Sequence, residues 1–239
     1  ARGHLPGALV VASDDFETGP PAYFLQTPDA IAAALARLGI ARATPVVVYS
    51  DWALAAARGW WILRHAGVED VRFLDGGLAA WVAAGGDVAT RPRAPGPPRP
   101  FGAAVPARPE LLADTAFVQA VVDDPRAETL LVDVRSRAEF VGADSGYRSL
   151  EAKGRIPGAV WAGDAGGGPG SDYLRADGSL RSAEEIAALW TPLGITPDRP
   201  VVFTCGGGWR SSLACLYADL LGFSRARNHS DGWFAWSTV

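Results

Sequence analysis

Two α/β domains in tandem are encoded in this chain of 239 residues. Three features say so: an internal repeat spaced by 155 positions, strand-like apolar runs alternating with helical patterns inside each copy, and a proline-rich stretch between the copies.

The repeat comes first, because it sets the architecture. Ile31, Leu38-Gly39-Ile40 and Pro45-Val46-Val47-Val48-Tyr49-Ser50 recur as Ile186, Leu193-Gly194-Ile195 and Pro200-Val201-Val202-Phe203-Thr204-Cys205. The same spacing pairs Gly67 with Gly222 and Trp81 with Trp236. An earlier element, Gly3-His4-Leu5-Pro6-Gly7-Ala8, matches Gly154-Arg155-Ile156-Pro157-Gly158-Ala159 at an offset of 151. A period this long is a duplicated domain rather than a solenoid repeat. Between the copies, prolines in Arg91–Pro100 remove donors and fix φ, so the stretch reads as an extended tether. The expected division is residues 1–90, a linker at 91–100, and residues 101–239.

Within each copy, Thr27-Pro28 and the capping box Ser182-x-x-Glu185 open a helix that runs to the Leu-Gly-Ile pair. The β-branched runs Val46 to Tyr49 and Val201 to Thr204 read as parallel strands covered on both faces. A helix then runs to Gly67 or Gly222. Short strands follow at Val71 to Leu74 and Arg225 to His229, before a last helix bearing Trp81 or Trp236. The second copy has one more strand, Thr129 to Asp133, ahead of its Gly-Arg-Ile-Pro-Gly-Ala. Its counterpart would precede Ala1, so the first domain is expected to lack its opening strand and the arginine after it.

Composition narrows the chemistry. A formal charge of -4 lacks the basic stripe of a nucleic-acid partner, and no apolar run reaches the roughly 18 residues of a membrane span. The chain starts at Ala1 and holds no Met, so the translation start is expected upstream and the compartment stays open. Two cysteines and three histidines show no metal-ligand spacing, and neither a metal nor another cofactor is expected. Gly166-Gly167-Gly168-Pro169-Gly170 follows no strand and reads as a surface loop.

The reactive signal is Cys205-Gly206-Gly207-Gly208-Trp209-Arg210-Ser211. Glycines let successive N–H groups turn inward as an anion nest, and a helix from about Arg210 adds free N–H groups and a positive dipole end. Such surroundings favour the thiolate of Cys205 without a histidine base. A cysteine is ordinarily a small core residue, and Cys215, within the next helix, keeps that reading. For Cys205 packing offers no evident reason for three consecutive glycines at a helix entrance. Cysteine phosphatases place one more residue between Cys and Arg to wrap a tetrahedral phosphate, and this shorter loop cups something smaller, such as a persulfide sulfur. Trp209, inside the loop, is expected to roof the cysteine, whereas most of the nine tryptophans read as core.

These residues resemble the rhodanese family. The resemblance rests on Asp133-Val134-Arg135, on the Gly-His/Arg-Leu/Ile-Pro-Gly-Ala element of both copies, on the six-residue loop from Cys205, and on Asp75-Gly76-Gly77-Leu78-Ala79-Ala80-Trp81. It implies two tandem domains, each a parallel sheet of about five strands flanked by helices, and a sulfurtransferase that carries sulfane sulfur on Cys205. Gly206 to Arg210 would then cradle the persulfide, with Ser211 behind them, and Arg135 would point toward the anionic end of the donor. Arg148, Lys153 and Arg155 are secondary candidates, since surface cations are commonly just solvated. The expected donor is thiosulfate, bound by Arg210. Its rival is 3-mercaptopyruvate, whose enzymes end the loop in Val-Thr, and a further reading is a persulfide carrier or sensor without turnover. Cyanide or a thiol, including that of a thioredoxin-like protein, would accept the sulfur. Two departures stand out: Ser230-Asp231-Gly232 replaces Asp-Gly-Gly in the second copy, and Ser50 stands in the first copy where Cys205 stands in the second. A serine oxygen cannot carry a persulfide, so the first domain is expected to be inactive and to wall the cleft.

Overall fold

The computed structural model describes residues 3–91, 93–166 and 171–239. The first half runs α1 (Pro28–Arg37), β1 (Val46–Val48), α2 (Ala53–Ala66), β2 (Val71–Phe73) and α3 (Gly77–Ala83). The second runs β3 (Leu112–Ala113), α4 (Thr115–Asp123), β4 (Leu130–Asp133), α5 (Arg137–Phe140), β5 (Val160–Trp161), α6 (Ala183–Trp190), β6 (Val201–Thr204), α7 (Trp209–Leu220), β7 (Ala226–His229) and α8 (Gly232–Trp236). Local chemistry sets the helix starts. The Thr27 hydroxyl accepts from the Ala30 N–H with Pro28 at the first helical position, and Ser182 and Glu185 close a reciprocal capping box. Gly67 and Gly222 end α2 and α7 at positive φ, where a Cβ would be strained.

The second half is one parallel five-stranded sheet in the order β3-β7-β6-β4-β5. Strand β6 lies in its middle, and all four of its residues are buried, as a strand covered on both faces requires. The first half differs from expectation: among the described residues its sheet pairs β1 with β2 alone, and Val47 on β1 is 55% exposed. The reason is topological. In the second half β4 lies between β5 and β6, and among the described residues of the first half no segment takes the place of β4. A cleft of about 520 Å³ separates Leu9 from β1 there, so the Leu9 stretch has no ladder to join.

The expected tether is exposed and has neither helix nor strand over residues 93–100; Pro92 lies outside the described residues. The chain past it stays against the first half, where Phe101 O accepts from the Arg42 N–H and the Ala107 and Arg108 N–H groups bond Ala66 and His65. The two halves share one apolar interior. Trp61, Leu63 and Phe16 join Phe203, Leu213 and Tyr217 in a single cluster, and α2 packs on its counterpart α7. Arg64 on α2 pairs with Asp219 on α7 at 2.5 Å across this seam. Gly167 to Gly170 of the expected glycine-rich loop lie outside the described residues.

Candidate active site

Cys205 follows the buried end of β6 and is itself 1% exposed. The loop after it is held from behind. The N–H groups of Trp233 and Phe234, at the start of α8, donate to Cys205 O at 2.8 Å and Gly206 O at 3.0 Å. With these two carbonyls taken by α8, the N–H groups of Gly206, Gly207 and Gly208 meet no acceptor among the described residues. Helix α7 begins at Trp209, one residue earlier than expected, and adds its own free N–H groups to the nest.

Packing, contrary to the sequence reading, does demand each glycine. A methyl on Gly206 would run into the Tyr147 hydroxyl, and one on Gly207 would lie 2.7 Å from Ala22 O in the first half. On Gly208, where φ is +84°, it would lie 2.6 Å from Ser230 O. The altered closing motif keeps the residue that matters: Gly232 has a φ of +58°, and a Cβ there would strike the Cys205 and Gly206 carbonyls. Its counterpart Gly77 meets Ser50 O in the same way.

Behind the sulfur, Ser211 Oγ lies 3.4 Å from Cys205 Sγ and donates to Asn228 Oδ1 at 2.6 Å. Asn228 in turn donates to Gly208 O and Ser212 Oγ, which braces the first turn of α7. In front of it opens a chamber of about 420 Å³. Tyr23, Trp52 and Leu54 of the first half form one wall, and Tyr147, Trp209 and Phe234 of the second form the other. Trp209 lies between them. Its ring centroid is 5.3 Å from that of Trp52 and 5.6 Å from that of Tyr23, and its Nε1 donates to Glu17 at 3.1 Å.

The cations are placed differently from expectation. Arg135 is 1% exposed, chelates Asp133 at 2.7 Å, donates to Gly154 O and lies over the Trp233 ring, so it braces the sheet and does not face the chamber. Arg210 does line the chamber, but its guanidinium is held by a bidentate pair: Nη1 and Nη2 each reach Glu139 at 2.7 Å, and Nη2 also donates to the Tyr147 hydroxyl at 3.0 Å. Burial pushes the Glu139 carboxyl up, yet hydrogen bonds from Arg210 and Ser136 hold it below its usual value, so the pair stays ionised and neutral overall. Arg148, Lys153 and Arg155 are exposed and do not line the chamber; Lys153 caps Ala143 O and Arg155 covers Phe140. Ser50 lies outside it as well, with its hydroxyl accepting from the Trp52 N–H. Sequence reasoning missed Glu139, Tyr147, Asn228 and the first-half pair Glu17 and Arg58. Among the described residues no cluster of His, Cys, Asp and Glu is arranged to hold a metal, and no helix is long and apolar enough to cross a membrane.

A duplicated α/β unit with a cysteine at the end of its central strand, cupped by a six-residue loop, defines the class: the chain belongs to the rhodanese-like family, whose domain model matches residues 1–84 and 116–238. Over 98% of its length it is 37% identical to the thiosulfate sulfurtransferase YnjE of Escherichia coli strain K12, of which it spans 54%. It is 31% identical to the sulfur carrier protein TtuD of Thermus thermophilus, covering 99% of this chain and 83% of that one. Among solved structures, EanB in complex with ergothioneine superposes with a TM-score of 0.91 at 33% identity, over 99% of this chain and 59% of EanB. The chain thus spans little more than half of the first and last of these relatives. It is a member of a sulfurtransferase family.

Proposed function

We propose that Cys205 takes sulfane sulfur from thiosulfate as a persulfide and passes it to a thiophilic acceptor, cyanide or a thiol. The observation that carries this reading is that Cys205 lines the chamber with a glycine loop whose Gly206, Gly207 and Gly208 N–H groups meet no acceptor among the described residues. The thiolate attacks the outer sulfur of thiosulfate, the donor S–S bond breaks, and sulfite leaves with the bonding pair. The nest then holds the charge on the outer persulfide sulfur, and the acceptor attacks that sulfur to release the thiolate again. Residues 101–239 supply this chemistry, and residues 1–90 close the chamber without a nucleophile of their own. With Cys205 1% exposed, a thioredoxin-like acceptor must bring its thiol in past Trp52.

The name of the E. coli relative supports thiosulfate over 3-mercaptopyruvate as donor. The test is intact mass after incubation with thiosulfate. One added sulfur on the wild type and none on Cys205→Ser is expected, and addition to the variant overturns the reading. A higher kcat/KM with 3-mercaptopyruvate would change the donor and leave the carrier, and loading without turnover would make it a sulfur carrier. The five aromatic rings around the chamber favour a second reading for the acceptor, a small aromatic compound. EanB structures hold hercynine and ergothioneine, so hercynine is the acceptor to assay first.

A further inference from the structure

With Arg210 locked to Glu139, the oxyanion end of the sulfur donor needs another side-chain partner, and Tyr147 is placed to be one. Its hydroxyl abuts Gly206, the first residue of the nest, so closely that no Cβ fits between them. The ring shares the chamber wall with Cys205 and is fixed edge-on against Phe234, with centroids 4.7 Å apart. The hydroxyl oxygen is aligned by the Arg210 Nη2 donor, and Glu139 fixes the guanidinium in turn with one bond to each Nη. A phenol that accepts one hydrogen bond still has its own proton to donate. Among the described residues, the Tyr147 O–H has no acceptor, whereas the Trp209 indole N–H is already given to Glu17. Burial pushes the phenol up to about 12, so it remains a neutral donor at physiological pH.

We infer that Tyr147 is the hydrogen-bond donor that receives the oxyanion group of the sulfur donor and stabilises it as it departs; this rests on the persulfide reading above and names how its donor is held. When the thiolate of Cys205 bonds to the outer sulfur of thiosulfate, the pair from the broken S–S bond stays on the sulfite sulfur, and negative charge grows on the sulfite oxygens. The Tyr147 O–H meets that growing charge without giving up its proton, so sulfane sulfur moves from sulfite to the Cys205 thiolate with no oxidant, reductant or net proton transfer. A neutral hydroxyl suits this task better than a second cation, because sulfite must also be released.

Two sulfur donors separate this role from a structural one. Thiosulfate carries an oxyanion group, whereas inorganic polysulfide offers the same sulfane sulfur without one. In Tyr147→Phe, which keeps the ring and its contact with Phe234, the rate of Cys205 loading from thiosulfate should fall about tenfold or more relative to loading from polysulfide, the scale of one lost transition-state donor. Product inhibition by sulfite should weaken in parallel, a second readout that a packing defect would not select. Equal losses with both donors, or an unchanged ratio, overturn the role of Tyr147 while the Cys205 persulfide stands. Wild-type protein that loads from polysulfide but not from thiosulfate overturns the thiosulfate reading and this role together.

Discussion

Arg58 of the first half donates from Nη2 to Ser230 Oγ of the second at 2.9 Å, and a methyl on Gly208 would meet its Nη1 at 2.7 Å. Ser230, which stands where the first half has Asp75, accepts this bond through a neutral hydroxyl. Arg58 also pairs with Glu17 at 2.9 Å, both side chains 2% exposed, and Glu17 in turn accepts from Trp209. The loop around Cys205 is therefore gripped by a cation from the first half.

Replacing Arg58 with Met should cost about 3–5 kcal/mol of stability, because Glu17 is left in the interior without its counter-charge. Burial already pushes that carboxyl up against the pull of Arg58. The double change Arg58→Met with Glu17→Gln should recover part of the loss in urea unfolding, while sulfur transfer stays reduced. A double variant no more stable than the single one would refute the account.

Gly207→Ala probes the contact between the halves rather than the backbone conformation. Its methyl meets Ala22 O, a backbone atom that cannot rotate away. The expected outcome is about 1–3 kcal/mol of destabilisation. A change in tryptophan fluorescence should accompany it as Trp209 and Trp52 separate, and thiosulfate turnover should fall. Wild-type fluorescence and turnover would show that the seam does not close on this loop.

Ser50→Ala should leave turnover within about threefold of wild type, since among the described residues the hydroxyl serves the Trp52 N–H alone, at 3.2 Å. A hundredfold loss, about 2.7 kcal/mol of transition-state stabilisation, would give the first half a chemical role.

His229 sets an acid limit on stability. Its ring lies between the hydroxyls of Thr204 and Thr115, and burial pulls it from 6.5 down to about 4. The unfolded chain therefore takes up a proton before the folded one does. The stabilisation is complete above the unfolded value, is lost as pH falls from 6.5 toward 4, and amounts to about 3 kcal/mol. Urea unfolding at pH 7 and at about pH 4.5 should show the fall in wild type and a smaller one in His229→Gln. An equal fall in the two proteins would place the titration elsewhere.

The duplication and the cysteine loop were legible because they are local: capping residues, β-branched runs and glycines act within a few positions of themselves. The strand β3 and the short helix α5 were missed because two and four residues carry too little periodicity. The partners of the loop were missed for a different reason. Arg210 finds Glu139 across 71 positions and Arg58 finds Ser230 across 172, and no pattern in one sequence reports such pairings. Arg135 was misread although its fate was visible. Residues i and i+2 near a strand end share a face, and Asp133 sits two positions before it.

Arg64 and Asp219 stand 155 positions apart, the period of the repeat, so they occupy matching sites on α2 and α7. Were the two halves separate copies of one polypeptide joined about a twofold axis, one residue would face its own twin at this point, and like charges would repel. Fusion into a single chain lifts that constraint. Each half is free to change its side of the seam alone, which allows opposite charges to meet at Arg64 and Asp219 and, by the same freedom, a serine at position 50 to coexist with a cysteine at position 205.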